Sequence, residues 1–244
     1  MERIKEAIEK ARSERWGLAP GSTTPAGGRS EAPASTFVDI PRPAVDSDIR
    51  YLQTPVVELD AAQLERERIV AHRKTHPASW AFDVLRTQVL QTMDQKGWRT
   101  VAVTSPTMES GKTVVAVNLA IGIAQQTNRT SLLVDFDLRR PRVAKALGLE
   151  AAVSLNQVLT GAVPVEQALV NPGIPRLVVL PTQQAMTGSA EVLGSRRVEE
   201  LVTELRGRYA DRVVVLDLPP VLAADDVMAI LPRVDCVLMV IGNG

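Results

Sequence analysis

An α/β fold, a mostly parallel and doubly wound sheet, is what this 244-residue sequence predicts. Three observations predict it. Short apolar runs at 100–104, 131–135, 177–180, 213–217 and 235–241 alternate with stretches of helical spacing. Strands that alternate with helices form parallel sheets through crossover connections. The runs are apolar on consecutive positions, as in Val-Val-Val-Leu at 213–216, which suits strands buried on both faces. Two of them end in aspartate, Asp135 and Asp217, and open α/β sheets place ligands beyond the carboxyl ends of their strands.

The elements follow in order. Residues 1–15 form a short amphipathic helix with Ile4, Ala7, Ile8 and Ala11 on one stripe. It is marginal alone in water, so it is either a docking helix or a frayed end. A flexible linker covers 16–59, since 17–47 is rich in Pro, Gly, Ser and Thr without a period. Residues 60–76 are a helical lead-in that Asp60 caps. The globular domain is 77–244. It opens on a helix whose Trp80, Val84, Leu85, Val89 and Leu90 recur at helical spacing up to Met93. Further helices are expected at 112–126, 142–147, 155–159, 165–169, 195–208 and 225–231. No internal repeat is present.

Composition narrows the function classes. Lys plus Arg is 28 and Asp plus Glu is 28, so no bulk field draws nucleic acid. Three Phe and two Tyr make no stacking platform for bases. Cys236, the single cysteine, sits in an apolar strand and is expected in the core, which fits a reducing cytoplasm. His72 and His76 have no third ligand beside them and are expected to be solvated. No apolar run reaches the ~18 residues of a membrane span. Glu2, Lys5, Glu6 and Lys10 interrupt any signal-peptide core. The expectation is a cytoplasmic protein that reaches a membrane only through a partner.

The chemistry is concentrated at 101–113, Val-Ala-Val-Thr-Ser-Pro-Thr-Met-Glu-Ser-Gly-Lys-Thr. An apolar strand runs into a loop, and an apolar helix starts at once. That order is a phosphate cradle of the P-loop NTPase kind, in which loop and helix N–H groups face an anion. Glu109, Ser110, Gly111, Lys112, Thr113 and Val114 are the expected nucleotide contacts. Gly111 lets the backbone approach closely, Lys112 reaches the outer phosphates, and Thr113 offers its hydroxyl to Mg²⁺. Pro106 stands where the usual pattern has glycine, which removes one N–H donor. The ligand expected is ATP with Mg²⁺.

Three carboxylates follow at two strand ends. Ser-Leu-Leu-Val-Asp-Phe-Asp-Leu-Arg-Arg-Pro at 131–141 brings Asp135 and Asp137, two apart and on one side of an extended chain. Arg-Val-Val-Val-Leu-Asp-Leu-Pro-Pro at 212–220 brings Asp217. Mg²⁺ takes one or two carboxylates plus phosphate oxygens. Capping of the next helix is the other role open to an Asp in such a place. Spacing alone does not assign separate roles to the three. Arg139 and Arg140 are available for phosphate, for a neighbouring subunit, or as a solvated helix entry.

The loop, the Asp-x-Asp-x-Arg segment and the Asp-Leu-Pro-Pro segment, in this order, resemble the bacterial tyrosine kinases (BY-kinases) of exopolysaccharide biosynthesis, over roughly residues 78–244. Ser189, Ala190, Glu191, Val192, Leu193, Val234 and Asp235 also fit that pattern. Partitioning ATPases are the nearest alternative, but their loop carries a further lysine where this chain has Thr107. The resemblance implies an ATP-dependent protein-tyrosine kinase. Lys112, Asp135 and Asp137 would be catalytic, with Asp135 activating the acceptor hydroxyl. Thr113, Asp137 and Asp217 would hold Mg²⁺, and Arg139 and Arg140 would join the nucleotide site. A membrane adaptor of polysaccharide export would be the partner, peripheral at the inner membrane, with homo-oligomers formed and no nucleic acid bound. Two departures stand out. Of the family's Glu-x-x-Arg-x-x-Arg helix, only Arg86 survives, with Trp80 and Asp83 at the other positions. A tyrosine-rich tail is absent, Tyr51 and Tyr209 being the only tyrosines. The sequence therefore predicts a core that is incomplete at its C-terminus. An ATPase switch, or a scaffold that binds an adaptor, remains as the alternative.

Overall fold

The structure, a computed structural model, describes residues 56–223 and 225–242. The N-terminal helix, nearly all of the linker, Tyr51 and the last two residues lie outside the described residues. Five strands form one sheet: β1 (Thr100–Thr104), β2 (Thr130–Asp135), β3 (Leu177–Leu180), β4 (Arg212–Asp217) and β5 (Cys236–Met239). Their order is β3-β2-β4-β1-β5, and every pairing is parallel. The expected mostly parallel, doubly wound fold is the one observed.

Both faces of the sheet are covered. Val101 and Val103 enter one core cluster, and Ala102 between them enters the other. On the first face lie α1 (Ala61–Arg66), α2 (Ser79–Lys96), α3 (Lys112–Ala124) and α4 (Val143–Leu147). On the second lie α5 (Leu155–Leu159), α6 (Val165–Ala168), α7 (Ser189–Leu193), α8 (Arg196–Gly207) and α9 (Asp226–Ile230), which a 3₁₀ turn, Leu231–Arg233, extends. The amphipathic pattern of α8 is regular: Val198, Leu201, Val202 and Leu205 are its buried residues, one stripe at helical spacing. The Ser195 hydroxyl accepts from Val198 N at 3.4 Å and caps its start.

Four details differ from the sequence expectation. Helix α7 was not anticipated, because five residues between two glycines carry no readable period. Strand β5 stops at Met239, two residues short of the expected end. Trp80 is 72% exposed and Val84 is also exposed, so the core stripe of α2 starts later. Phe82, Val89 and Leu90 carry the packing instead, with Met93 buried. Spacing alone does not reveal which turns of the helix are buried. Cys236 is half-buried rather than fully enclosed, since β5 is an edge strand.

The lead-in is integral to the core. Asp60 Oδ1 accepts from Ala62 N at 2.9 Å and caps α1. Leu64 and Ile69 are buried in the first cluster. Residues 68–71 then lie along α3, where fully buried Asn118 holds them. Its Oδ1 accepts from Val70 N and Ala71 N, both at 2.8 Å, and its Nδ2 donates to Arg68 O at 3.0 Å. Buried amides persist only when they are satisfied in this way.

Candidate functional site

Strand β4 enters the sheet between β1 and β2, although it follows both in the chain. This insertion brings three strand ends together. Val103 on β1 and Asp135 on β2 both lie opposite Asp217 on β4. The order in which strands are added reverses at this point, β4 returning between β1 and β2 after β3, the kind of place where open α/β sheets bind ligands.

The loop between β1 and α3 is tightly formed. Glu109 (φ 62°) and Gly111 (φ 85°) adopt left-handed backbone. Alternation of left- and right-handed residues turns successive N–H groups toward one side, an anion-binding concavity. Glycine at 111 takes that conformation without strain. Ser110 Oγ donates to Thr107 O at 3.0 Å, and Ser105 Oγ to the same carbonyl at 2.7 Å. The base of the loop is fastened to the segment beyond β4: Val221 N donates to Ser105 O at 2.8 Å, and Leu222 N to Pro106 O at 3.2 Å. Pro219 and Pro220 end β4 just before these contacts, having no N–H to extend the ladder.

Lys112 lies at the start of α3 and is largely buried. Its Nζ donates to Asp137 Oδ2 at 2.8 Å and to Thr113 Oγ1 at 3.3 Å, and lies 3.6 Å from Asp217 Oδ1. Thr113 Oγ1 donates to Asp217 Oδ2 at 2.6 Å. Burial disfavours the ammonium charge, but Asp217 and Asp137 outweigh it and raise the Lys112 pKa. Burial pushes the Asp217 carboxyl up to about 6, against the pull of Lys112. Asp135 is likewise raised well above the usual carboxylate range, first by burial and then by the charge of Asp217.

The three carboxylates are differently engaged. Asp135 is fully buried and caps α4: its Oδ2 accepts from Arg142 N at 3.0 Å and Val143 N at 2.9 Å, and its Oδ1 from Asp137 N at 3.2 Å. Asp137 Oδ1 accepts from Arg140 N at 3.0 Å, which leaves Oδ2 facing Lys112. Asp217 Oδ1 is buried with no hydrogen-bond partner. One ammonium is therefore paired with two buried carboxylates, and Asp217 Oδ1 is left without a hydrogen bond. Asp137, Asp217 and the Thr113 hydroxyl are oxygen donors of the kind that could hold a hard divalent cation.

Among the arginines, Arg140 is exposed, and its guanidinium touches Met108 Sδ at 3.0 Å beside the loop. Arg139 is engaged elsewhere. It pairs with Asp226 at the start of α9 and with Ser189 at the start of α7. Sequence reasoning missed Asp226, since 87 residues separate it from Arg139 and no local pattern marks it; Ser189 was visible as part of the family pattern but not as a partner of Arg139. Sequence reasoning also missed Thr182, whose hydroxyl donates to Asp135 O at 2.7 Å. Asp83, which stands at an arginine position of the resembling pattern, binds Arg86 at 2.6 Å and Lys74 at 2.8 Å within the chain. Among the described residues, no helix is long and apolar enough to cross a membrane.

Known proteins are similar to this chain in sequence and fold. The chain is 31% identical over 183 residues to the tyrosine-protein kinase YwqD of Bacillus subtilis, covering 75% of this chain and 76% of YwqD. The putative tyrosine-protein kinase EpsB of Ralstonia solanacearum is 32% identical over 164 residues, and there the match is 22% of EpsB. The chain thus spans about a fifth of that longer relative. The kinase domain of the Escherichia coli tyrosine kinase ETK has a TM-score of 0.65 at 26% identity, covering 70% of this chain and 67% of that domain. The cell division ATPase MinD of Pyrococcus furiosus follows, with a TM-score of 0.51 at 26% identity over 58% of each chain. No protein-family model matches the chain.

Proposed function

We propose that this chain, which belongs to the bacterial tyrosine-protein kinase family, binds Mg²⁺-ATP between its phosphate loop and the ends of β2 and β4 and transfers phosphate to tyrosine. The observation that carries this reading is the convergence of Lys112, Thr113, Asp137 and Asp217 within hydrogen-bond or ion-pair distance. Phosphoryl transfer needs little covalent work from the protein; it needs positioning and charge. Loop N–H groups from Glu109 to Val114 hold the phosphates, and Lys112 turns its ammonium from Asp137 to the outer oxygens. Thr113, Asp137 and Asp217 would hold Mg²⁺, whose positive charge would offset the negative charge of the phosphates. Asp135 takes the proton of the tyrosine hydroxyl as the phosphorus–oxygen bond forms and ADP departs. Its raised pKa makes it a stronger proton acceptor than an ordinary carboxylate. Exopolysaccharide biosynthesis and export is the setting, with a membrane adaptor of export as the partner and the inner membrane as the place.

A second reading is an ATPase switch without kinase activity. Its support is the full engagement of Asp135 by backbone N–H groups, which suits a helix cap better than a free base. One experiment separates the two. The full chain is incubated with labelled Mg²⁺-ATP and a tyrosine-containing polypeptide, and both free phosphate and phosphotyrosine are measured. Phosphotyrosine that disappears in Lys112→Ala is the expected result. Free phosphate alone favours the switch, and neither product overturns both readings.

A further inference from the structure

The two segments that carry the site's carboxylates are far apart in sequence. One follows β2 and bears Asp135 and Asp137; the other follows β4 and bears Asp217. Two residues beyond Asp137, Arg139 crosses from the first segment to the second. Its Nε donates to Asp226 Oδ1 at 3.0 Å and Oδ2 at 3.2 Å, and its Nη2 to Asp226 Oδ1 at 2.8 Å. Nη2 also reaches Asp225 Oδ1 at 3.1 Å, and Nε reaches Ser189 Oγ at 3.1 Å. Asp226 has no exposed side-chain surface. Burial would raise its pKa, but hydrogen bonds from Arg139 and Ser189 outweigh burial and hold it below the usual range. This is a planar fork on a buried carboxylate, a geometry that lysine cannot reproduce. A second tie runs nearby: Met186 N donates to Leu138 O at 2.7 Å. The arginine is thus committed to the protein, and its backbone continues directly into Asp137.

We propose that Arg139 is a positioning residue: by gripping Asp226 it fixes the loop that carries Asp137 relative to the strand end that carries Asp217, and so sets the Mg²⁺ requirement for nucleotide binding. The inference rests on the Mg²⁺-nucleotide reading given above. It assigns no phosphate contact to Arg139. Partners one step removed from a metal commonly govern its affinity in this way.

The test is calorimetric titration of the full chain with ADP, with Mg²⁺ varied and then removed by chelation. Wild type, Arg139→Gln, Asp226→Asn and the double variant are compared, together with their melting temperatures. Each single variant is expected to need about tenfold more Mg²⁺ for half-saturation. The double variant is expected to need no more than either single, and metal-free ADP affinity is expected to stay at the wild-type value. Arg139→Lys should fall between. An unchanged Mg²⁺ requirement overturns the proposal. So does an equal loss with and without Mg²⁺, which is the signature of a direct phosphate contact or of general loosening. Additive losses in the double variant overturn the pairing. If Arg139→Gln fails to fold, Arg139→Lys decides the matter by the same readout. Wild type that binds no ADP in either condition removes the nucleotide site itself, a different failure from that of the latch.

Discussion

Asp135 and Asp217 stand opposite one another on neighbouring parallel strands. Burial pushes each toward its protonated form, and charge repulsion adds to it, from Asp217 on Asp135 and from Asp137 on Asp217. Lys112 and the N–H groups at the start of α4 are what the chain itself sets against that repulsion. A cation between the strand ends would relieve the remainder.

Lys112→Ala is expected to weaken Mg²⁺-ATP binding by about 2 kcal/mol or more, the loss of a charge-assisted contact in a partly dry site. It should also leave Asp137 without its ammonium partner at 2.8 Å. Calorimetry that shows equal affinity for wild type and variant would remove Lys112 from the site.

Asp135 and Asp137 should separate into two phenotypes. Asp135→Ala strips three backbone N–H groups of their acceptor and is expected to cost about 1–3 kcal/mol in chemical denaturation. Asp137→Asn keeps the Oδ1 acceptor for Arg140 N and should fold normally, with its loss confined to the Mg²⁺ dependence of nucleotide binding. Similar melts for Asp135→Ala and wild type would contradict the capping role.

Asp235 should confer a pH dependence on stability. Its Oδ2 accepts from Arg99 N at 2.8 Å, Thr100 N at 2.9 Å and Thr100 Oγ1 at 2.9 Å, which ties β5 to β1. Burial alone would raise its pKa, but these hydrogen bonds and Arg206 hold it below the usual range. With a depressed folded pKa, the unfolded chain binds more protons across that interval. The contribution is thus present above the ordinary carboxylate pKa and is lost as pH falls through the folded value. Wild type should lose more stability than Asp235→Asn as pH falls from 5, about a unit above the ordinary carboxylate pKa, to 3. Parallel curves for the two would be the contrary result.

Deleting residues up to 76 should destabilise the domain, because it removes Leu64 and Ile69 from the core and strips the Asn118 Oδ1 of both its donors. Asn118→Leu in the intact chain should cost about 1–3 kcal/mol for the same reason, since the N–H groups of Val70 and Ala71 stay buried without an acceptor. A melting temperature unaffected by either change would show that the segment is only draped over α3.

Cys236 should react slowly. Burial pushes its thiol up to about 11 from an ordinary value of 9.0. Its thiolate fraction at neutral pH is then about a hundredfold lower than that of a free thiol. Alkylation at the rate of free cysteine would indicate that the β5 edge opens readily.

Much of this was legible in the sequence because strands buried on both faces are apolar without interruption. The run 213–216 could hardly be anything else, and Asp217 at its end marks the ligand-bearing edge. Gly111, Lys112 and Thr113 were legible because a phosphate loop needs those residue types in that order. Arg139 was visible as a residue but not as a contact. Its partner was fixed by the insertion of β4, which brings α9 beside the β2 loop. Trp80 misled for a related reason: periodicity gives a helix its stripe but not the depth to which each turn is buried.

The placement of β4 also governs how the molecule comes into being. Strands β1 and β2 are made first, yet they share no hydrogen bond and wait for a strand that follows them in the chain. Thr113 and Asp217 are 104 residues apart, so their contact closes a long loop of chain, the kind of non-local pairing that slows folding. A nascent chain that ends before residue 212 has its phosphate loop and the Asp137 segment but lacks the strand that lies between β1 and β2. It exposes the facing edges of β1 and β2, which invite mispairing or a chaperone. The meeting of Thr113 with Asp217 during synthesis therefore waits for six residues, Arg212 to Asp217.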